Sequence, residues 1–322
     1  MISRILMLGV IIAMCATQSA SDNAETGNSN TPVITKLGTI DCDMVETTPI
    51  VFKNTLYRFE YVRDNYKPNQ TGKSYFRFIE PTTREVTPSF AAGYHLGSAF
   101  TDGDTMYVYG VSNWGGPDIQ VFWSKDLEHW EEQAALKIPG WAIYNTAVCK
   151  GEKGYVMAFE IGGPPEEAGH RFTMRFATSP DLLSWTLTPK QCVYTKERYS
   201  ACPALRFLDG QYYMIYLEGY PGYWAPHIVR SKDLIAWEES AFKPIIKHSA
   251  EDKRIANPKL TPAQREHIAN AKNVNNSDVD FCEFDGKTII NYSWGNQHGT
   301  EFLAEAVFAG TEAEFLKGFF PE

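Results

Sequence analysis

Long apolar runs are almost absent from this chain. Beyond Ile5–Met14, no segment approaches the roughly twenty consecutive apolar residues that a membrane-spanning helix needs. Basic residues are also short: 30 Lys and Arg stand against 39 Asp and Glu, a net charge of −9, which argues against a nucleic-acid partner. Cysteine is scarce, and no C-x-x-C pair offers a metal-ligand spacing. After Cys15 the remaining five, Cys42, Cys149, Cys192, Cys202 and Cys282, leave at least one free thiol; one disulfide suits an oxidising compartment, with its pairing open. Missing too are a phosphate-binding loop, a dinucleotide fingerprint, an H-E-x-x-H helix and a G-x-S-x-G elbow. Gly162-Gly163-Pro164-Pro165 reads only as a loop. No cofactor is expected. Calcium is the one ion the side chains suggest, through the oxygens of Asn275, Asn276 and Asp278.

What the chain has in quantity is aromatic side chains, 17 Tyr, 19 Phe and 8 Trp, with 43% hydrophobic residues. That composition excludes disorder and favours a β-rich fold. Met1–Ala20 reads as a secretory leader: Arg4, an apolar run too short to span, then Ala16, Ser19 and Ala20. Residues 21–31 form a polar tether, and residues 32–322 a single domain. The protein is therefore expected to be exported, periplasmic or secreted. Ile12-Ala13-Met14-Cys15 gives a second reading, an outer-membrane lipoprotein anchored at Cys15, although Met14 is large for that site.

Two repeats set the expected architecture. The pattern S-x-D-L-x-x-W occurs at Ser124–Trp130, Ser179–Trp185 and Ser231–Trp237, with its aspartates 55 and 52 residues apart. Ser and Asp bond nearby backbone N–H groups in a tight turn, Leu anchors it, and Trp packs into the neighbouring layer. Asp126, Asp181 and Asp233 are accordingly structural. The second repeat is an apolar strand, a turn and a Tyr-rich strand, at Pro49–Tyr61, Ser98–Val111, Thr146–Ile161, Pro203–Glu218 and Asp280–Trp294. Asp102-Gly103, Asp209-Gly210 and Asp285-Gly286 are hairpin turns within it. These spacings predict an all-β, five-bladed β-propeller with four-stranded blades and one short helical insert before the last blade, opened by Thr261 and Pro262. Val33–Leu37 is expected to supply the final blade's missing strand.

In a propeller the loops leading into the innermost strands form a funnel, so the residues there are the candidates. Glu46 and Asp278 are the leading carboxylate pair. Asp278 is preferred to Asp280 because it lies further into its loop. Glu160 and Glu218, at the ends of second strands, are further acids, and Glu60 holds the matching place in the first blade. His95, Trp114, Tyr144, Asn145, Tyr220, Trp224 and His298 are candidate sugar-binding residues, through aromatic stacking and hydroxyl hydrogen bonds. Arg63 is a minor candidate for an acidic sugar. No metal ligand is assigned. Carboxylates among aromatics at a pit's mouth suit glycoside hydrolysis, in which one acid protonates the leaving oxygen and a second carboxylate activates water or attacks.

The S-x-D-L-x-x-W turns, Met44-Val45-Glu46-Thr47-Thr48-Pro49, and Asn275–Gly286 with Tyr292–Asn296 resemble the five-bladed propeller glycosidases of glycoside hydrolase families 43, 32 and 117. The resemblance implies a propeller over nearly all of the mature chain and a carbohydrate substrate. It also implies a base Asp where this chain has Thr48, an acid Glu where it has Ala201, and a helper Asp at Tyr144 or Asn145. None of the three is kept. The sequence thus points to an exported glycoside hydrolase with a different carboxylate set, or to a non-catalytic carbohydrate-binding propeller.

Overall fold

The computed structural model describes residues 31–63 and 74–321. The expected leader over 1–20, Cys15 and the tether up to residue 30 lie outside the described residues. In chain order the strands are β1 (Thr35–Cys42), β2 (Thr47–Phe52), β3 (Thr55–Val62), β4 (Tyr75–Ile79), β5 (His95–Asp102), β6 (Thr105–Val111), β7 (Asp118–Ser124), β8 (Glu131–Lys137), β9 (Ala142–Gly151) and β10 (Gly154–Gly163). They continue as β11 (Thr173–Ser179), β12 (Thr186–Leu187), β13 (Ser200–Leu208), β14 (Gln211–Tyr220), β15 (Tyr223–Ser231), β16 (Trp237–Glu239), β17 (Asn275–Phe284), β18 (Lys287–Gly295) and β19 (Glu301–Phe308). The α-helices are α1 (Pro165–Ala168), α2 (Pro262–Asn270) and α3 (Glu312–Gly318), with a 3-10 turn at Ala250–Lys253.

The strands form antiparallel meanders: β2-β3-β4, β5-β6-β7-β8, β9-β10-β11-β12, and an eight-stranded sheet. Within that larger sheet, β13-β14-β15-β16 and β17-β18-β19-β1 are joined by the single parallel pair Trp224–Asn275. Consecutive first strands touch around a closed ring, β2 to β5, β5 to β9, β9 to β13, β13 to β17 and β17 back to β2. Short hairpins make this possible. Lys53-Asn54, Asp209-Gly210 and Asp285-Gly286 each supply two left-handed residues, the requirement of a tight two-residue loop whose twist matches the strands.

The S-x-D-L-x-x-W turns hold one sheet to the next. Ser124 Oγ accepts the Leu127 N–H at 2.9 Å, and Asp126 Oδ1 accepts the N–H groups of Glu128 and His129 at 2.9 and 2.8 Å. Ser179 with Asp181 and Ser231 with Asp233 repeat the arrangement. Backbone N–H donors hold all three carboxyls below the usual range. The leucines adopt left-handed backbone and are buried. Each tryptophan then packs on the preceding sheet: Trp130 stacks on Phe90 at 3.8 Å, Trp185 meets Tyr109 edge-on at 5.6 Å, and Trp237 stacks on Phe176 at 5.6 Å.

Three details differ from the sequence-based expectation. The β2-β3-β4 sheet has three strands, because Pro81 and Pro88 cannot donate to a ladder and only isolated bridges, Phe76–Phe90 and Ile79–Val86, cover its edge. The strand completing the β17-β18-β19 group starts at Thr35 and runs to Cys42, further than Val33–Leu37. Among the described residues there are two α-helices besides the Thr261-capped α2; α3 carries a capping box between Thr311 and Glu314. The five described cysteines are all unpaired thiols.

A buried polar latch fixes the insert against the β17-β18-β19 group. Asp252, fully buried, takes Lys36 Nζ at 2.6 Å, Tyr292 Oη at 2.8 Å, Asn273 Nδ2 at 2.8 Å and the Ser249 N–H at 2.8 Å. Lys36 also donates to Asn276 Oδ1 at 2.9 Å. Removing one partner leaves a buried charge unpaired. Asp252→Ala is therefore expected to cost about 3–5 kcal/mol in chemical denaturation, and a loss under 1 kcal/mol contradicts this role for the latch.

Candidate active site

The innermost strands share a kink at the end where they begin. Ladder register slips between His95 and Ser98 in β5, Ala201 and Ala204 in β13, and Ser277 and Asp280 in β17. Inside these bulges Leu96, Cys202 and Asp278 take left-handed backbone, φ 54, 50 and 49°, and Glu46, just before β2, has φ 56°. A bulge re-aims a side chain, and a strained non-glycine residue persists only where its surroundings hold it. Here all four side chains are aimed into one cavity of about 150 Å³, with Tyr144 and Asn145 of β9 completing the ring.

Three carboxylates meet in that cavity: Glu46, Glu160 and Asp278. Glu46 Oε2 is shielded from solvent without a hydrogen-bond partner, its nearest cation being the Arg63 guanidinium at 3.5 Å. Burial pushes the Glu46 carboxyl up to about 8; Arg63 opposes this, while Asp278 and Glu160 add to it. Glu160 is raised by burial to about 7, against two bonds to its Oε2, from Asn145 Nδ2 and the Cys202 N–H, both at 3.0 Å. Asp278 Oδ2 accepts from Ser277 Oγ at 2.7 Å, and Ser277 Oγ accepts from Gln297 Nε2 at 3.1 Å. Burial and these carboxylates raise the Cys202 thiol well above its ordinary value, so it stays protonated. Beneath lies a chamber of about 30 Å³, room for roughly one water, among Thr48, Ser98, Thr146 and Asp280. Asp280 itself is held by Arg206 at 2.8 Å.

An arc of aromatic rings makes the rest of the wall. Trp114 meets Tyr144 edge-on at 6.2 Å, Tyr144 meets Phe172 at 5.0 Å, and Phe172 meets Tyr199 at 5.9 Å. Glu46 and Asp278, with Gln297, complete the lining. Gln297 is held by Glu301, a buried acid that accepts the Gln297 N–H and an Asn275 N–H and is raised to about 8 by burial.

Of the residues nominated from sequence, Glu46, Asp278, Glu160, Trp114, Tyr144 and Asn145 lie together in this cavity. Glu218 is absent from its lining: it accepts from Tyr216 Oη at 2.9 Å and faces Arg198 at 3.4 Å. Glu60 is buried between Arg58 and Arg77. His95 sits behind the wall, its Nδ1 2.7 Å from Tyr61 Oη, and its neighbour Leu96 faces the cavity instead. Tyr220 is sandwiched between Tyr223 and His227. Trp224 and His298 meet edge-on at 6.0 Å outside the cavity lining. Asn276, one of the suggested calcium ligands, is bound by Lys36, and among the described residues no group of three His, Cys, Asp or Glu side chains is arranged to hold a metal ion. Sequence reasoning passed over Leu96, Cys202, Phe172 and Gln297. The first two occupy the same repeat position as Glu46 and Asp278, a signal present in the spacing.

Glu46 and Glu160 bind a proton more tightly folded than unfolded. Their contribution to stability is full below the ordinary carboxylate range and is lost as pH rises through about 7 to 8. The melting temperature should thus fall between pH 5 and pH 9, and Glu46→Gln should flatten the upper part of that fall. Parallel curves for the two proteins would assign the effect to other groups.

No family model matches the chain, and no curated protein matches it in sequence. Solved structures do match in fold. BT0996, in its complex with RGII, superposes with a TM-score of 0.59 at 13% identity, over 87% of this chain and 94% of that one. A glycosyl hydrolase from Bacteroides ovatus gives 0.54 at 11% identity, over 87% and 92%. An α-L-arabinanase mutant of Cellvibrio cellulosa gives 0.52 at 12% identity, over 83% and 92%. The chain has the propeller-type fold of these glycoside hydrolases.

Proposed function

We propose that this chain is an exported glycoside hydrolase built as a five-bladed propeller, acting on an oligosaccharide or polysaccharide through Glu46 and Asp278. The observation that carries the reading is the convergence of Glu46, Glu160 and Asp278 on one small cavity walled by aromatic rings. Aromatic faces stack on sugar rings, and carboxyl groups whose surroundings separate their proton affinities divide into acid and base. Glu46, kept protonated by burial, donates its proton to the leaving glycosidic oxygen as the C–O bond breaks. Asp278 activates water or attacks the anomeric carbon, and water supplies the new hydroxyl. Glu160, its Oε2 held by Asn145 and Cys202, offers Oε1 to a substrate hydroxyl or returns a proton. Turnover is expected to fall as pH rises through about 7 to 8, where the acids lose their protons.

Export rests on the leader. The competing reading, a sugar-binding propeller without catalysis, is favoured by Ala201 at the place where the resembled families carry their acid. Reducing-sugar release from a panel of plant and bacterial glycans decides between them. Release supports the hydrolase, and binding without release supports the lectin-like alternative.

A further inference from the structure

Ser277 precedes Asp278 in the chain, is fully buried, and lines neither the cavity nor the chamber beneath it. Three polar groups surround its hydroxyl. Asp278 Oδ2 lies at 2.7 Å, Gln297 Nε2 at 3.1 Å and Asn275 Nδ2 at 3.1 Å. A serine hydroxyl has one proton to give and two lone pairs to offer, and an ionised carboxylate can only accept. The proton therefore goes to Asp278, and the two lone pairs take the two amide N–H groups. Turning either amide over would set its oxygen against a lone pair. The hydroxyl is left with a single orientation, fixed from behind.

Glu301 fixes the two amides in turn. Its Oε1 accepts the backbone N–H of Gln297, and its Oε2 accepts Asn275 Nδ2 at 3.3 Å. Gln297 takes left-handed backbone, φ 57°, and position 295 has room only for glycine: a Cβ there would collide with the Thr300 carbonyl oxygen and stand 2.9 Å from the Glu301 carboxylate. A strained residue persists only where the surrounding structure holds it. The ladder pairs Asn275–Gly295, Ser277–Ser293 and Gly295–Glu301 hold β17, β18 and β19 in the register this needs. The titratable groups that face Asp278 are Glu46, Glu160, Glu301 and the Cys202 thiol, with Arg63 beyond Glu46. Among so many acids, a donor committed to one carboxyl favours the charged form of that carboxyl over its neighbours'.

We propose that Ser277 is the positioning residue for Asp278. Its proton ties Oδ2, which leaves Oδ1 as the oxygen that meets water or the anomeric carbon. Gln297, Asn275 and Glu301 keep that proton from turning away. This rests on the hydrolase reading above, in which Asp278 is the base or nucleophile.

The test uses the full mature chain with ¹³C-labelled aspartate carboxyls, followed by NMR, with Asp278→Asn identifying the signal. Ser277→Ala removes the donor, so the Asp278 titration midpoint should rise by about one pH unit, the scale of one hydrogen bond to a charged group. Gln297→Met frees one lone pair and leaves the proton in place, so it should move the midpoint the same way by less. In pH–rate profiles on whichever glycan of the panel is cleaved, the acid limb of Ser277→Ala should rise with the midpoint. The alkaline limb, set by Glu46 and Glu160, should stay. Turnover should fall about ten- to a hundredfold, the cost of a misplaced catalytic group, with KM within a few-fold. An unmoved midpoint in Ser277→Ala, or in Gln297→Met should the first variant not fold, overturns the proposal whatever the kinetics. A fall in kcat with an unmoved acid limb also overturns it and makes Ser277 a packing residue. If the wild type releases no sugar, the hydrolase reading falls, and the midpoint alone decides whether Ser277 governs Asp278.

Discussion

Replacing Glu46 by Gln is expected to lower glycosidic turnover by about three orders of magnitude, the usual worth of a positioned general acid, with the fold retained. The substitution keeps the shape of the side chain and removes only the transferable proton. Glu46 suits that proton because its Oε2 is buried without a hydrogen bond and two carboxylates share its cavity. Arg63, 3.5 Å away, moderates the effect and does not cancel it. The variant should still bind the product sugar, since the aromatic arc from Trp114 to Tyr199 is untouched. Steady-state kinetics should show the loss in kcat with KM within a few-fold. A loss confined to KM would make Glu46 a binding residue. Unchanged kinetics would remove it from the mechanism.

Asp278→Asn is expected to lower turnover by a similar factor of about a thousand, through loss of the base or nucleophile, and to leave a second signature. Asp278 contributes to the raised proton affinity of Glu46, Glu160 and Glu301. With its charge removed, all three lose protons more readily. The alkaline limb of the residual pH–rate profile should move to lower pH. Ser277 Oγ can still donate to an amide oxygen at position 278 while accepting from Gln297 Nε2, so the loop should hold its shape. Residual activity with an unmoved alkaline limb would mean that Asp278 does not share the field of the other acids.

The local turns were legible because their chemistry is local: Ser, Asp, Leu and Trp in S-x-D-L-x-x-W bond or pack within a few residues or onto the preceding sheet. Glu46, Tyr144, Asn145 and Asp278 were legible because they recur where innermost strands begin. Strand ends were harder to read. Glu60, Glu160 and Glu218 hold similar places, yet Glu60 stands opposite Arg77 and pairs with it, Glu160 stands opposite Met174 with no ion pair among the described residues, and Glu218 meets Arg198 from a separate loop. Cross-strand register decides the first two fates, and a loop residue distant from the strand pairing decides the third. Nor did any glycine announce the bulges: Glu46, Leu96, Cys202 and Asp278 take left-handed backbone as ordinary residues, at a cost the packed ring sustains. The helix α3 was readable in hindsight from Thr311 and Glu314, a capping box outside the repeat.

The most direct measurement is hydrolysis of the glycan panel in ¹⁸O-water, with the released sugars weighed by mass spectrometry. The account predicts that the wild-type chain places one ¹⁸O atom on each new reducing end, and that Glu46→Gln releases essentially none over the same period. Glycans that bind but remain intact, or that the variant cleaves as fast as the wild type, would contradict it.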